Sequence, residues 1–148
     1  MAVVQRALLI IKPDAMRKGI DKNILSDIHK AGLNVIVQKK ISQVPEQMLA
    51  KLYEEHRGKP FYGDLLAFMA SGSVRCAVVE GVDAVGRLRV LMGDTIPSKA
   101  SPDSIRGRYK GGSDKGPSGA IENSVHGSAD PERAKHEIEL FFGKKWTV

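Results

Sequence analysis

Apolar and polar residues follow one another along the chain in patterns that predict both strands and helices. Unbroken or β-branched apolar runs predict strands, and apolar residues three and four positions apart predict helices. The predicted strands are residues 7–11, 33–37 with room to extend to Ile41, 74–80 and 121–125. The predicted helices are residues 21–31, a helix opened by Pro45 and Glu46, 62–69, 84–92, and one that begins at Asp130-Pro131-Glu132 and ends before Gly143. This order of elements predicts an α+β sandwich with one sheet.

Residues 95–119 do not share this pattern. They contain five of the 15 glycines and almost no periodic apolar residues. Loops of this length inside a compact domain are uncommon and are mostly functional or disordered. Elsewhere no repeat or linker divides the sequence, so residues 1–148 are predicted to form a single domain.

The composition narrows the class of protein and the kind of partner. Of 148 residues, 42% are hydrophobic and 27% are charged, which is typical of a globular domain. The net charge of +6 favours an anionic partner such as nucleic acid, an acidic membrane surface or a phosphorylated small molecule. Cys76 is the only cysteine, so an intrachain disulfide and a cysteine-based metal site are excluded. Without a signal-peptide pattern or a membrane-length apolar run, a soluble cytoplasmic protein with no membrane partner is predicted.

Glycine-rich phosphate-binding motifs do not occur in the sequence, so side chains would have to bind any phosphate group. His126 stands out among the four histidines, because it ends a short apolar stretch and precedes Gly127, Ser128 and a capped helix. Small neighbours leave a ring face open to a ligand. The local sequence allows either a catalytic histidine or a hydrogen-bonded core histidine. The other three histidines are interpreted as surface residues.

Glu137 lies in the helix that follows His126, beside the face formed by Ala134 and Ile138. A carboxylate that binds one imidazole nitrogen fixes the tautomer and leaves the other nitrogen with a free lone pair. That arrangement suits a nucleophile that attacks phosphorus. The alternative interpretation is an ordinary ion pair between Glu137 and Arg133.

Three basic residues stand near the ends of predicted elements: Lys12, Arg89 and Arg106. The planar guanidinium of arginine binds two phosphoryl oxygens at once, which makes such residues candidate phosphate ligands. Each alone is most often a solvated charge. A phosphate site requires that they converge, which their spacing does not establish.

Several segments occur in the order and approximate spacing of a known family. They are "ALLIIKPDAMRKG", "KPFYGDLLAFMASG", "VLMGDTIPSKASPDSIRG" and "ENSVHGSAD". Over nearly its whole length the chain resembles nucleoside diphosphate kinases. The resemblance implies a ferredoxin-like α+β fold, a four-stranded antiparallel sheet covered by helices, and assembly as a homohexamer.

The resemblance also implies a ping-pong phosphotransferase. His126 would take the γ-phosphoryl group of a nucleoside triphosphate and give it to a nucleoside diphosphate, while Glu137 orients the ring. Mg²⁺ would arrive with the triphosphate. Phe61 would stack on the base without reading its edge, which implies low base specificity. The implied nucleotide-binding residues are Lys12, Tyr53, Phe61, Leu65, Arg89, Thr95, Arg106, Asn123, Gly127 and Ser128.

The chain departs from the family pattern at three places. Ala129 follows Ser128 where the family has aspartate, and Ile96 follows Thr95 where it has asparagine. Residues 108–119 make the segment between Arg106 and Asn123 longer than in common members. We expect this added segment to be mobile or to pack against a neighbouring subunit.

Two other classes of function compete with this interpretation. A basic α+β domain also suits RNA recognition, but that function needs exposed aromatic residues on the central strands. The predicted strands 7–11 and 74–80 contain none, so nucleic-acid binding is expected to be weak and nonspecific at most. A relative that has lost catalysis is the other candidate. The intact His126, Lys12, Arg89 and Arg106 argue against it, whereas Ala129 favours it.

Overall fold

The computed structural model describes residues 3–147. The strands are β1 (Val4–Ile11), β2 (Asn34–Ile41), β3 (Val74–Val82) and β4 (Val125–Gly127). The helices are α1 (Pro13–Lys18), α2 (Asp21–Lys30), α3 (Glu46–Leu52), α4 (Tyr62–Met69), α5 (Ala84–Met92), α6 (Ile105–Arg108) and α7 (Pro131–Phe142). Short 3-10 turns lie at Glu54–His56, Pro97–Lys99 and Lys144–Trp146.

The four strands form one antiparallel sheet in the order β2-β3-β1-β4, which confirms the predicted fold class. The apolar strand β1 lies between β3 and β4. Within it, Ile10 pairs with Cys76 on one side and with His126 on the other. The candidate catalytic histidine is therefore attached to the most buried strand of the sheet.

Helices cover both faces of the sheet, because successive side chains of a strand point to opposite sides. Leu9 and Ile11 belong to one apolar core, which includes residues of α2 and α5. Leu8 and Ile10 belong to the other, which includes residues of α3, α4 and α7. The prediction of a sandwich around one sheet is confirmed, and the five predicted helices all form.

The prediction of a strand at residues 121–125 is wrong. The strand in this region is β4, which starts only at Val125. Ser124 just before it has a φ of 70°, in the left-handed region, so the chain cannot run straight through this position as a strand. Ile121 forms only an isolated bridge with Lys115.

Two helices, α1 and α6, were not predicted. Pro13 occupies the first turn of α1, and Gly19 ends it in the left-handed conformation with a φ of 70°. Ser104 caps α6 by accepting a hydrogen bond from the Gly107 amide at 3.1 Å. Both helices are too short to show an apolar stripe, so only these capping residues signal them.

None of the helices among residues 3–147 has the length and apolar character needed to cross a membrane.

Candidate active site

The side chains of His126 and Glu137 are in direct contact. The Nε2 atom of His126 lies 2.8 Å from Oε1 of Glu137, and the Ser128 hydroxyl donates to the same oxygen at 2.8 Å. Glu137 is only 4% exposed. The alternative partner, Arg133, is also present, with its Nε 3.8 Å from Oε2 of Glu137. The two interpretations of Glu137 are therefore compatible, and each oxygen of the carboxylate faces a different group.

Local folding brings these three groups together. Ser128 is fixed to β1, because its hydroxyl accepts a hydrogen bond from the Leu8 amide at 3.0 Å. Two residues later Asp130 begins α7, and its carboxylate accepts a hydrogen bond from the Arg133 amide at 2.8 Å. Two turns along that helix, Glu137 faces back toward the end of β4.

The contact with Glu137 determines which nitrogen of His126 is available for chemistry. An ionised carboxylate can only accept hydrogen bonds, so the ring donates through Nε2. In a neutral ring the other nitrogen, Nδ1, then carries a lone pair. His126 therefore has the geometry of a nucleophile with Nδ1 as the attacking atom.

A chain of hydrogen bonds connects three of the predicted binding residues beside the histidine. The ammonium of Lys12 donates to Oδ1 of Asn123 at 2.8 Å, and the Asn123 amide nitrogen donates to the Thr95 carbonyl at 3.0 Å. Burial, and next the charge of Arg106, lowers the pKa of Lys12 to about 7, while Asp14 opposes this change. The sequence predicted the three binding residues, but not that the lysine would be so easily discharged.

Arg106 is held by the backbone through two of its five N–H donors. Its two terminal nitrogens donate to the carbonyls of Gly93 and Val125 at 3.1 and 2.9 Å, whereas its buried Nε has no partner. Burial, and next the charge of Arg89, lowers the pKa of Arg106 to about 10. An open cleft of about 410 Å³ adjoins this side chain. Its lining residues are Arg89, Val90, Met92, Gly93, Asp94, Thr95 and Arg106.

Aromatic side chains lead from the histidine to the surface. The ring of Tyr53 lies edge-on to His126 at 6.0 Å, and its buried hydroxyl has no hydrogen-bond partner. Burial, and next the charge of Glu137, raises the pKa of this hydroxyl. Phe61 is 47% exposed, and the ring of His56 lies 5.3 Å from it and 6.2 Å from Tyr53. Leu65 is half-buried and packs against the nearby core.

His56 and Asp14 are two residues that the sequence did not single out. His56 was interpreted as a surface residue, yet it lies between two predicted binding residues, and burial followed by the charge of Lys59 lowers its pKa. Asp14 is 4% exposed and accepts a hydrogen bond from the Ser124 amide at 3.0 Å. Its position directly after Lys12-Pro13 was the available signal. It supports the left-handed turn that precedes β4.

Gly127 lies where β4 packs against α5. A Cβ atom at this position would lie 2.5 Å from Sδ of Met92, so a side chain there would force the Met92 side chain to move. The close approach of helix and strand accounts for this glycine without a ligand.

The segments where the sequence is expected to depart from the family pattern make identifiable contacts in the structure. Asp130, one place later than the family aspartate, is the N-cap of α7. Beyond Ile96, Ser98 donates from its amide and its hydroxyl to the carboxylate of Asp114, at 2.9 and 2.7 Å. Arg108 and Tyr109 both donate to Asp27 of α2 at 2.9 Å. Residues 108–122, named here the extended loop, are thus held by side chains of other elements.

The donors around the cleft favour an anion over a bare metal ion. Two arginines and one threonine line the cleft beside a single acid, Asp94, and phosphate oxygens accept hydrogen bonds from arginine and threonine. Within residues 3–147, no three His, Cys, Asp or Glu side chains are grouped closely enough to hold a metal.

Comparison with known proteins agrees with this geometry. The family model described as "Nucleoside diphosphate kinase" matches residues 5–146. A nucleoside diphosphate kinase of Thermomicrobium roseum is 42% identical over 142 residues, which cover 94% of this chain and 88% of that protein.

Two solved structures are similar in fold. The enzyme of Halobacterium salinarum in complex with CDP has a TM-score of 0.86 and 33% identity, covering 99% of this chain and 92% of that one. The enzyme of Borrelia burgdorferi, a transition-state mimic with bound vanadate and ADP, has a TM-score of 0.88 and 29% identity, covering 98% and 90%. The chain therefore belongs to the nucleoside diphosphate kinase family, enzymes of the phosphotransferase class.

Proposed function

We propose that this protein transfers the γ-phosphoryl group of a nucleoside triphosphate to a nucleoside diphosphate through a phosphohistidine at His126. The observation that carries the proposal is the 2.8 Å contact between Nε2 of His126 and Glu137, which leaves Nδ1 free to attack. Arg106 and Lys12, both nearly buried, supply positive charge on the same side of the molecule. The two structural relatives were solved with CDP and with ADP, which supports a nucleotide as the ligand.

In the first half-reaction, the Nδ1 lone pair of His126 attacks the γ-phosphorus. An N–P bond forms, the bond between the γ-phosphorus and its bridging oxygen breaks, and the diphosphate leaves with that electron pair. The Nε2 proton stays on the ring, and Glu137 stabilises the positive charge that the ring gains. In the second half-reaction, a terminal oxygen of another nucleoside diphosphate attacks the phosphorus, and the N–P electrons return to Nδ1.

The cationic side chains hold and orient the phosphates. Arg106 can offer the second N–H of each terminal nitrogen, while Arg89 and Thr95 line the same cleft. Lys12 and Asn123 are linked by a hydrogen bond and offer their remaining donors to phosphate or to a sugar hydroxyl. We propose that Mg²⁺ enters as part of the substrate, bound to the triphosphate, where it neutralises phosphate charge.

The base is assigned to the exposed face of Phe61. Stacking on an aromatic ring contributes about 1–3 kcal/mol per base and does not depend on which base is present. We therefore propose low base specificity, with Leu65 lining the inner side of this site and Tyr53 serving as a phosphate ligand. The relatives bound to CDP and ADP carry different bases, which supports this assignment.

Several finer features of the proposal concern assembly and location. Val4 and Val82 pair across the sheet and are 55% and 44% exposed, and Val3 beside them is 62% exposed. Such an exposed apolar group favours self-association, and we propose a homohexamer in the cytoplasm. We also propose that residues 108–119 are an addition to the family pattern.

Covalent labelling tests the proposed function. The protein is incubated with γ-labelled ATP, and a label that is lost in acid, kept in alkali and discharged by a nucleoside diphosphate is expected. His126→Ala should abolish it, with a loss of activity on the order of 10⁴-fold or more. His136→Ala, which changes an exposed histidine of the same region, should label normally. Label that survives in His126→Ala would disprove the assigned nucleophile.

The same experiment separates the competing functions. A catalytically inactive relative would bind nucleotide without taking up label. A nucleic-acid-binding domain would show salt-dependent binding to RNA or DNA but no transfer.

A further inference from the structure

Arg133 is a charged residue that faces the oxygen of Glu137 that His126 does not contact. It lies one helical turn before Glu137, and its Nε is 3.8 Å from Oε2 of that carboxylate. The Nε atom is buried and has no hydrogen-bond partner. The charge of this guanidinium is therefore directed at a residue that itself contacts His126.

The rest of the guanidinium is fixed by the end of α3. One terminal nitrogen donates to the Leu52 carbonyl at 3.1 Å, and the other pairs with the exposed carboxylate of Glu54 at 3.1 Å. Tyr53, between these two residues, has its ring edge-on to His126. Arg133 thus connects the two elements that flank the histidine ring.

The two oxygens of Glu137 have different partners. Oε1 accepts from both His126 and Ser128, whereas Oε2 faces Arg133. Within residues 3–147, no other lysine or arginine side chain lies within 4.0 Å of this carboxylate. Rotation of the carboxylate away from His126 would also move Oε2 away from the fixed cation, so Arg133 opposes that rotation.

The charge on the histidine changes during the proposed reaction, whereas the charge of Arg133 does not. A ring phosphorylated on Nδ1 and protonated on Nε2 is positive and attracts Glu137 strongly. The ring before phosphorylation is neutral and attracts it less. A permanent cation on the other oxygen keeps the carboxylate in one orientation in both states.

We propose that Arg133 is a positioning residue: it holds Oε2 of Glu137 so that Oε1 remains on Nε2 of His126 in both halves of the transfer. The inference rests on the proposed function, because it assumes that Nδ1 of His126 is the attacking atom. Arg133 contacts neither the cleft nor the phosphate-binding side chains, so its effect belongs to the chemical step.

The test compares Arg133→Met, which keeps a long apolar side chain, with Arg133→Lys, which keeps the charge. Arg133→Met should slow single-turnover phosphorylation about tenfold, equivalent to about 1.4 kcal/mol. The KM for nucleotide should stay within about twofold of the value for the unmodified protein, because Arg133 does not contact the residues proposed to bind the nucleotide. Arg133→Lys should recover most of the rate. Glu54→Gln removes only the exposed partner of Arg133 and should behave like the unmodified protein.

Ring ¹⁵N spectra of His126 supply a readout that a purely structural role would not move. The share of the Nε2-protonated tautomer should fall in Arg133→Met and return in Arg133→Lys. A lower melting temperature with unchanged tautomer and phosphorylation rate would overturn the inference. If the unmodified protein takes no label on His126, the proposed function fails instead, and the two failures are distinguishable.

Discussion

The surroundings of His126 and the extended loop are adjacent in the chain but are stabilised in different ways. Around His126, the interacting groups are buried and come from distant elements: Ser128 is 0% and Glu137 is 4% exposed. The extended loop is held by exposed and half-exposed side chains, such as Asp114, which accepts from Ser98 of the turn Pro97–Lys99. The structure around His126 should therefore be disturbed only by substitutions that remove a buried partner. The extended loop can detach from the rest of the molecule without unfolding the protein.

Physical chemistry gives the two kinds of contact different strengths. A buried polar group that loses its partner costs about 1–3 kcal/mol, whereas an exposed ion pair contributes about 0–1 kcal/mol. Substitutions at Glu137, at Lys12 on the boundary between the regions, and at Asp114 should therefore have progressively smaller effects.

Glu137→Gln should have the largest effect of the three. An amide can still accept a hydrogen bond, but it carries no charge to stabilise the phosphorylated ring. We expect the phosphorylation rate to fall roughly 10- to 100-fold, as for other carboxylates that orient a histidine, with a much smaller change in nucleotide affinity. Rapid-quench kinetics with labelled ATP measures both. Glu139→Gln, an exposed position on the same helix, is the control, and a loss confined to affinity would contradict this role of Glu137.

The charge of Lys12 should make nucleotide binding depend on pH. With a pKa of about 7, the free protein loses this cation as pH rises above neutrality. Binding phosphate then requires reprotonation, so affinity should fall by up to about tenfold per pH unit, or ~1.4 kcal/mol. Calorimetric titration with a nucleoside diphosphate between pH 7.5 and 9, where its phosphates are fully ionised, measures the slope.

Two variants identify the group responsible for that slope. Lys12→Met should bind weakly at every pH and show a flat profile. Asp14→Asn removes the carboxylate that raises the pKa of Lys12, so the decline should begin at lower pH. Parallel slopes in Lys12→Met and the unmodified protein would show that another group is responsible.

Asp114→Asn should have the smallest effect and be confined to the extended loop. It removes the charge that accepts both hydrogen bonds from Ser98, so residues 108–119 should be cut several-fold faster by a protease. The phosphorylation rate should change by less than about twofold. Limited proteolysis with and without nucleotide is the measurement, and Asp103→Asn, another exposed acid, is the control. Equal cutting of Asp114→Asn and the unmodified protein would show that the contact with Ser98 does not hold the extended loop in place.

The sequence was sufficient where one strong pattern determines the structure. The run at residues 7–11 predicted the buried strand β1, and Asp130-Pro131-Glu132 predicted the start of α7. The contact between His126 and Glu137 was predicted because an acid beside an apolar helix face requires a polar partner.

The sequence was insufficient where the outcome depends on a single backbone angle or on a choice among many polar partners. Because Ser124 has a left-handed φ, the last strand begins only at Val125. No pattern of apolar residues encodes that φ angle. Ser98 could have bonded to any of several exposed acids, so its pairing with Asp114 was not predictable. The sequence suggested Arg133 only as an alternative to His126 as the partner of Glu137. Its contact with the Leu52 carbonyl joins residues 81 positions apart, which no local pattern predicts.

The position of Cys76 between two neighbouring strands also makes the protein a reporter of its own unfolding. The thiol is fully buried, and burial raises its pKa to about 12. Only the thiolate reacts readily with alkylating reagents, so the folded molecule should be inert to them at neutral pH. Each labelled Cys76 then records one opening of the sheet that also carries His126, and the labelling rate measures how often the whole active-site scaffold is lost.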